Sequence, residues 1–476
     1  MRLSALLEGI KTGGLSADPQ ICGVTCDSRQ VEKGYLFVAI SGGQQDGHRF
    51  AGEALKRGAA AILAEHPPET GETAVITSDT RAAYTKICAN FFHHPEKDMR
   101  FLAVTGTNGK TSTTQFVKAM LDGLGVKAGL LGTVYNQIGS QIFPASFTTP
   151  EPYQLYSILD QMRNEGVQTV VMEVSSQAMD QHRADGLPFK VAGFTNLTQD
   201  HLDYHGTMEN YREAKARLFE LSEKKIFNLD DETGRMFYHR FGGMTYSIED
   251  RRADLFADEI EMDVTGVSCR IQKRDETARI HLSTPGLFTV HNALLAAGIL
   301  LEEGYSFRQV TEQLSKIPSV PGRAEVITRG LPFTVMLDYA HTPDALENIL
   351  TTIKHYAKGR VVTLFGCGGD RDRSKRPKMA AAVAQYSDFI IVTSDNPRTE
   401  DPAAIIQDIL PGLTGSNVPY AVVENRKEAI GYAIHHAQEN DIILLAGKGH
   451  EDYQILKTGK IRFDEKEIVK EFLEQE

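Results

Sequence analysis

Unbroken apolar runs recur along this chain, each closing on a short polar or glycine-rich motif and each followed by apolar residues at helical spacing. In the middle of the chain the runs are FLAVTGT from Phe101, VQTVVMEVSS from Val167, VAGFTNLT from Val191 and KKIFNLDD from Lys224. The same grammar returns in TVMLDYAHTPD from Thr334, RVVTLFGCGGDRD from Arg360, DFIIVTSDNPR from Asp388 and DIILLAGKGHE from Asp441. Continuous rather than alternating runs suit parallel strands buried on both faces. Between Asp254 and Pro285 the pattern changes: VSCRIQ and ARIHLST alternate around the turn KRDET, which predicts an antiparallel hairpin appended to the parallel core.

Two polar, proline-containing stretches interrupt this grammar, HHPEKDMR from His93 and IPSVPG from Ile317. Proline cannot sit inside a helix or a central strand. They divide the chain into residues 1–98, 99–320 and 321–476. The expected fold is α/β with three domains: a first domain, a central parallel-sheet domain carrying the hairpin, and a C-terminal Rossmann-like domain. In open parallel sheets ligands bind beyond the carboxyl ends of the strands, where Lys110, Glu173, Asn196 and Asn228 fall.

The stretch FLAVTGTNGKTSTT reads as a phosphate-binding loop. A strand turning sharply into a helix aims backbone N–H groups at one spot, and Gly106 and Gly109 let that backbone approach phosphate oxygens. Lys110 adds a mobile positive charge and Thr111 can hold Mg²⁺. The usual G-x-x-x-x-G-K-[ST] pattern would place a glycine at Val104; here it stands at Gly106, so the loop is a shortened variant.

Composition narrows the class. With 476 residues, 41% of them apolar and 24% charged, the chain has ample core for several domains. A formal net charge of -12 argues against general nucleic-acid binding, which depends on neutralising phosphates. The densest basic cluster, RDRSKRPK from Arg371, then suits a small anionic ligand better than a polymer. No apolar run is long enough for membrane insertion and the N-terminus lacks a signal-peptide core, so a cytoplasmic protein is expected. Five scattered cysteines without a C-x-x-C pair fit reduced thiols; nothing completes Cys22 and Cys26 into a metal site. The glycines from Gly366 resemble a dinucleotide fingerprint, but the acidic residue about twenty positions on, Asp388, precedes the next strand instead of ending it.

The order of these motifs resembles the Mur ligase family along the whole chain. The residues are Asp27-Ser28-Arg29, Leu36 to Ala39, GTNGKT, Thr148-Thr149-Pro150, Met172 to Ser176, Thr195-Asn196-Leu197 and Asp200 to Gly206. They continue through Asn228 to Asp231, Val320 to Arg323, Asp338 to His341 and Gly366 to Pro377. DNPR from Asp395 and GKGHEDYQ from Gly447 look like the MurE type, which adds the third amino acid of the stem peptide.

The resemblance implies an ATP- and Mg²⁺-dependent ligase that adds meso-diaminopimelate to UDP-MurNAc-L-Ala-D-Glu through an acyl phosphate, in peptidoglycan precursor synthesis. It implies ATP contacts from Gly106, Thr107, Asn108, Gly109, Lys110, Thr111 and Ser112, with Asn292, Arg323 and Asp338. Metal ligands would be Thr111, Glu173, His201 and Lys215, and catalysis would fall to Lys110, Glu173, His201 and Lys215. Lys215 corresponds by motif to a lysine that the family carries as a carbamate, whereas the residue pattern by itself reads as an exposed helix lysine. The first domain would take UDP through Ser28 and His48. The muramoyl dipeptide would meet Thr148, Thr149, Ser175, Gln181 and Arg183. Diaminopimelate would meet Arg371, Asp395, Asn396, Pro397, Arg398, Gly447 and Glu451, with Arg398 pairing bidentately with the carboxylate that lysine lacks.

A monomer is expected. An L-lysine-adding ligase and a folylpolyglutamate-type ligase are the alternatives; Arg398 speaks against the first, and the first domain's motif with DNPR against the second. A guanine-reading switch would carry Asn-Lys-x-Asp where this chain has Asn228-Leu229-Asp230-Asp231. Three departures from the family pattern touch metal and substrate contacts rather than the reaction class: Gln177 in place of histidine, Arg373-Ser374-Lys375 in place of lysine-glycine-lysine, and Arg462 in place of histidine.

Overall fold

Alternate residues of the strand Arg100–Thr105 enter opposite cores: Phe101 and Ala103 pack into one apolar cluster, Leu102 and Val104 into another. This is the two-sided burial that the unbroken apolar runs predict. The computed structural model describes residues 1–474 except 14, 16, 43–45, 69–73 and 329–330.

Seven parallel strands form the middle of the largest sheet, in the order Leu255–Asp263, Met244–Ser247, Lys224–Asn228, Phe189–Phe194, Arg100–Thr105, Thr169–Glu173 and Ala128–Leu131. Gly266–Lys273 and Glu276–Leu282 extend one edge as the expected antiparallel hairpin. A second hairpin, Tyr135–Ile138 with Gln141–Pro144, extends the other edge. Its signal was present in the sequence, a two-residue Gly139-Ser140 turn between alternating strands. The helix Leu287–Glu302 is apolar nearly all round because it is packed on most sides, against the phosphate-loop helix Lys110–Gly123 and the sheet.

Four parallel strands between Gly23 and Ile76 make the first sheet. The last main sheet runs Glu325–Val326, Thr334–Asp338, Ile442–Ala446, Val361–Phe365, Phe389–Val392, Tyr420–Val422, parallel except for its first strand. Strand Ile442–Ala446 is inserted between two strands that precede it in the chain, which opens a crevice beyond the carboxyl ends at Asp338, Gly366, Asp395 and Gly447. Among the described residues no helix is long and apolar enough to cross a membrane.

Candidate active site

The phosphate loop is built by close backbone approach. Gly106 (φ +145°) and Gly109 (φ +86°) adopt conformations that side chains rarely tolerate, and a Cβ at Gly106 would fall 1.8 Å from Thr195 Oγ1. Asn196 braces the loop: its carbonyl accepts from Thr107 N at 2.8 Å and its Oδ1 from Asn108 N at 3.0 Å. Asn228 in turn donates to Thr195 O at 2.9 Å, so these two strand-end asparagines support the loop. Lys110 Nζ donates to Gly106 O at 2.9 Å and Thr107 O at 2.8 Å, and burial pushes its pKa below the ordinary lysine value. Thr111 and Ser112 follow in the first helical turn, with Asn292 Oδ1 accepting from Thr113 Oγ1 at 3.3 Å beside Gly109.

Glu173 ends its strand with its carboxylate held by three donors: Thr111 Oγ1 at 3.0 Å, Thr133 N at 2.8 Å and Thr133 Oγ1 at 2.9 Å. Lys215 is not the exposed helix lysine that its pattern suggests. It is 1% exposed, its Nζ donates to Gly106 O at 2.8 Å and sits 4.4 Å over the Tyr211 ring. Burial, with the charge of Lys110 adding, pushes its pKa well below the ordinary value. His201 precedes the short helix Leu202–His205 in a left-handed conformation (φ +52°). Burial lowers its pKa to about 4, with Lys110 and Lys215 adding to the effect against Asp200. Burial would raise Asp200, but His201 and Lys375 outweigh it and hold the carboxyl far below its usual range.

The threonine hydroxyl, the Glu173 carboxylate and the neutral imidazole suit a hard divalent cation. Lys215 fits that donor set only once its ammonium has become a carbamate, because the ammonium offers no lone pair. Among the described residues, one group of three His, Cys, Asp or Glu side chains lies within mutual ligand reach: Asp46, His48 and His66. It is a capping network rather than a donor set, since His48 Nδ1 lies 2.6 Å from Asp46 and its Nε2 accepts from Glu65 N at 2.9 Å.

A cavity of about 690 Å³ gathers most of the expected substrate residues. Lys110 and His201 face it from the phosphate loop side, Thr148, Thr149, Ser175, Gln181 and Arg183 from the central sheet, and Arg371, Asp395, Asn396, Arg398, Gly447 and Glu451 from the last sheet. Thr149 Oγ1 links Glu173 O (2.9 Å) to Ser175 N (3.0 Å), and Ser175 caps the following helix. Arg183 is fixed by Gln181 Oε1 at 2.6 Å and Glu151 at 2.8 Å. Arg398 (φ +53°) anchors its Nη1 on Gly369 O at 2.8 Å and Asn396 O at 3.3 Å; its Nε and Nη2 make no hydrogen bond among the described residues. Pro397 packs its carbonyl against the Gly369 backbone and does not line the cavity.

Arg323, Asp338 and Asn292 lie outside the cavity wall. Arg323 Nη2 reaches Thr111 Oγ1 at 3.2 Å and its guanidinium stacks 4.8 Å from the Tyr339 ring. Asp338 accepts from Ala324 N and Ala340 N, both at 2.7 Å, and burial pushes its carboxyl up. Ser28 and His48 are not brought to the cavity: Ser28 Oγ donates to Glu53 at 3.3 Å, and His48 is buried, stacked on His66.

Four residues to which the sequence assigns no individual role complete the geometry. Thr133 holds Glu173. Asp344 accepts from Asn108 Nδ2 at 2.9 Å and Thr198 Oγ1 at 3.2 Å, which docks the last sheet's unit on the loop. Lys375 bridges the same gap with Asp200 at 2.5 Å. Lys448, fully buried, donates to the cavity-lining Glu451 Oε2 at 3.3 Å. The basic cluster is also less free than its charge suggests: Arg376, 1% exposed, pairs with Glu400 and Asp408, and Arg373 pairs with Asp408. Arg371, lining the cavity, is what remains for a small anion there.

Three family models match the chain: "Mur ligase family, catalytic domain" over residues 20–92, "Mur ligase middle domain" over 104–300 and "Mur ligase, glutamate ligase domain" over 322–449. The chain is 46% identical to the UDP-N-acetylmuramoyl-L-alanyl-D-glutamate--2,6-diaminopimelate ligase of Caldanaerobacter subterraneus subsp. tengcongensis, covering 99% of both. It is 44% identical to the ligase of the same name from Syntrophomonas wolfei subsp. wolfei, covering 96% of this chain and 95% of that one. A solved structure of an enzyme of that name superposes with a TM-score of 0.68 at 31% identity, covering 96% of this chain and 95% of the other.

Proposed function

This chain belongs to the Mur ligase family, and from that premise we propose that it joins meso-diaminopimelate to UDP-MurNAc-L-Ala-D-Glu, with ATP converted to ADP and phosphate. The observation that carries the reading is one cavity with a phosphate-loop lysine and His201 on one wall and Arg398 with Glu451 on the other. The two alternatives open at the sequence level, L-lysine addition and a folylpolyglutamate-type reaction, are set aside: relatives matched end to end carry the diaminopimelate name.

Phosphoryl transfer between two anions requires alignment and charge neutralisation above all. Gly106 to Ser112 cradle the ATP phosphates with backbone N–H groups, and Lys110, released from Gly106 and Thr107, meets the transferring phosphoryl. Arg323, already at Thr111, adds a second cation, with Asn292 and Asp338 completing the ATP contacts. Thr111, Glu173, His201 and a carbamylated Lys215 would hold Mg²⁺, which when bound neutralises charge between ATP and the acceptor carboxylate. The carbamate forms when the neutral Lys215 amine attacks CO₂ and loses a proton; the depressed pKa favours that neutral amine. Thr148, Thr149, Ser175, Gln181 and Arg183 orient the D-glutamyl end. Arg371, Asp395, Asn396, Arg398, Gly447 and Glu451 orient diaminopimelate so that its amine reaches the acyl carbon.

Residues 1–98 take the UDP end, with Ser28 and His48 as contacts, 99–320 take ATP, and 321–476 take the amino acid. A monomer in the cytoplasm, where ATP is supplied, completes the proposal. The acyl phosphate is tested by isotope transfer. With ¹⁸O in the acceptor carboxylate, one labelled oxygen should appear in the released phosphate, because amine attack breaks the acyl C–O bond. Phosphate free of label would overturn the mechanism.

A further inference from the structure

Lys448 stands between two cavity-lining residues' positions, Gly447 and Glu451, yet it is 0% exposed. A fully buried ammonium is rare unless it is paired. Its Nζ lies 3.2 Å from Asn396 Oδ1, 3.3 Å from Glu451 Oε2 and 3.6 Å from Asp395 Oδ1. Asn396 Nδ2 donates to the same Glu451 Oε2 at 2.8 Å, so lysine, amide and carboxylate form a closed triangle. The Tyr453 and Phe463 rings flank the ammonium, with centroids 5.7 and 5.8 Å away. Asp395 Oδ1, also buried, has no hydrogen-bond partner, which leaves Lys448 as its nearby counter-charge.

The geometry points to Lys448 as a positioning and charge-balancing residue for amino-acid choice. It rests on the reading of this pocket as the diaminopimelate site. Lys448 holds Asn396 and Glu451 in place and offsets one of two carboxylates, so that Asp395, Glu451 and Lys448 together present one negative charge to an incoming ammonium. That balance bears on specificity. Lysine carries two ammonium groups and one carboxylate; diaminopimelate carries two of each. Removing the Lys448 charge makes the pocket more negative and favours lysine, while removing the Glu451 charge does the reverse.

Steady-state kinetics of Lys448→Met and Glu451→Gln with both amino acids test this, at saturating ATP and UDP-MurNAc-L-Ala-D-Glu. Lys448→Met should raise KM for diaminopimelate about tenfold or more, as expected when a buried charge loses its partner. KM for ATP and for the UDP substrate should stay unchanged, and the diaminopimelate-to-lysine ratio of kcat/KM should fall. In Glu451→Gln that ratio should rise. A merely structural role would weaken both amino acids alike and leave the ratio unmoved, which would overturn the proposal. If Lys448→Met does not fold, Glu451→Gln decides alone, and a ratio that stays or falls refutes the charge balance. The wild-type preference tests the substrate reading separately, since each variant is compared with the wild type.

Discussion

Lys110 and Lys215 donate to the same acceptor, the carbonyl oxygen of Gly106, at 2.9 and 2.8 Å. Two ammonium groups converging on one oxygen in a buried site repel each other, and Lys215, with the deeper pKa depression, is the one prepared to become neutral. Carbamylation converts that repulsion into attraction by reversing the sign of one partner. Enzyme prepared free of CO₂ should therefore lose activity and regain it with bicarbonate, and ¹³C-bicarbonate should give a carbamate carbon resonance absent from Lys215→Ala. That variant should lose about a hundredfold or more in kcat, the scale of one lost charge-stabilising group. Full activity in Lys215→Ala with no bicarbonate response would remove Lys215 from the mechanism.

Arg398 lines the cavity from a backbone held at φ +53°, with Nη1 anchored on Gly369 O and Asn396 O and with Nε and Nη2 making no hydrogen bond among the described residues. Arg398→Ala should lower kcat/KM for diaminopimelate by about tenfold to several thousandfold, the range for losing a charged hydrogen-bonded partner, and change lysine turnover far less. Equal losses for both amino acids would place the distal carboxylate elsewhere.

Asp344 and Lys375 join the last α/β unit to the phosphate loop through Asn108, Thr198 and Asp200. Asp344→Ala should loosen that docking, raise KM for ATP several-fold and increase the radius of gyration in solution scattering. Unchanged scattering and KM would make these contacts incidental to that docking.

His450 packs against Tyr339 with its Nδ1 buried and without a hydrogen-bond partner, and burial, with Arg323 adding, lowers its pKa to about 4. The unfolded chain protonates this histidine near pH 6.5, so between pH 6.5 and 4 the unfolded state binds the extra proton and stability falls as pH falls. Relative to His450→Gln, the wild type should lose about 1 kcal/mol of stability between pH 7.5 and 5.5. Denaturant melts of both proteins at the two pH values check it; parallel curves would show that His450 titrates normally in the fold.

Much of this was legible in the chain because the relevant signals are local. The apolar runs marked the parallel strands, and Gly106 and Gly109 marked the loop, since each depends on its immediate neighbours. What escaped depends on long-range packing. Lys215 reads as exposed because only the strand-end loop around Gly106, more than a hundred residues away, buries it. Arg373 and Arg376 read as a free basic patch because Glu400 and Asp408 come from later elements. Asp344 and Lys448 lie inside quoted stretches, TVMLDYAHTPD and GKGHEDYQ, yet nothing local reveals their roles, because their partners are set by how sheets and units meet. Ser28 and His48 remain apart from the cavity, so the UDP end rests on the family pattern alone.

The most direct test of the account is the initial rate of phosphate release from ATP and Mg²⁺ with UDP-MurNAc-L-Ala-D-Glu, comparing meso-diaminopimelate with L-lysine and confirming the product by mass. The account predicts efficient turnover and a tripeptide product with diaminopimelate, and at least about tenfold lower kcat/KM with lysine. A preference for lysine, or no turnover with either, would contradict it.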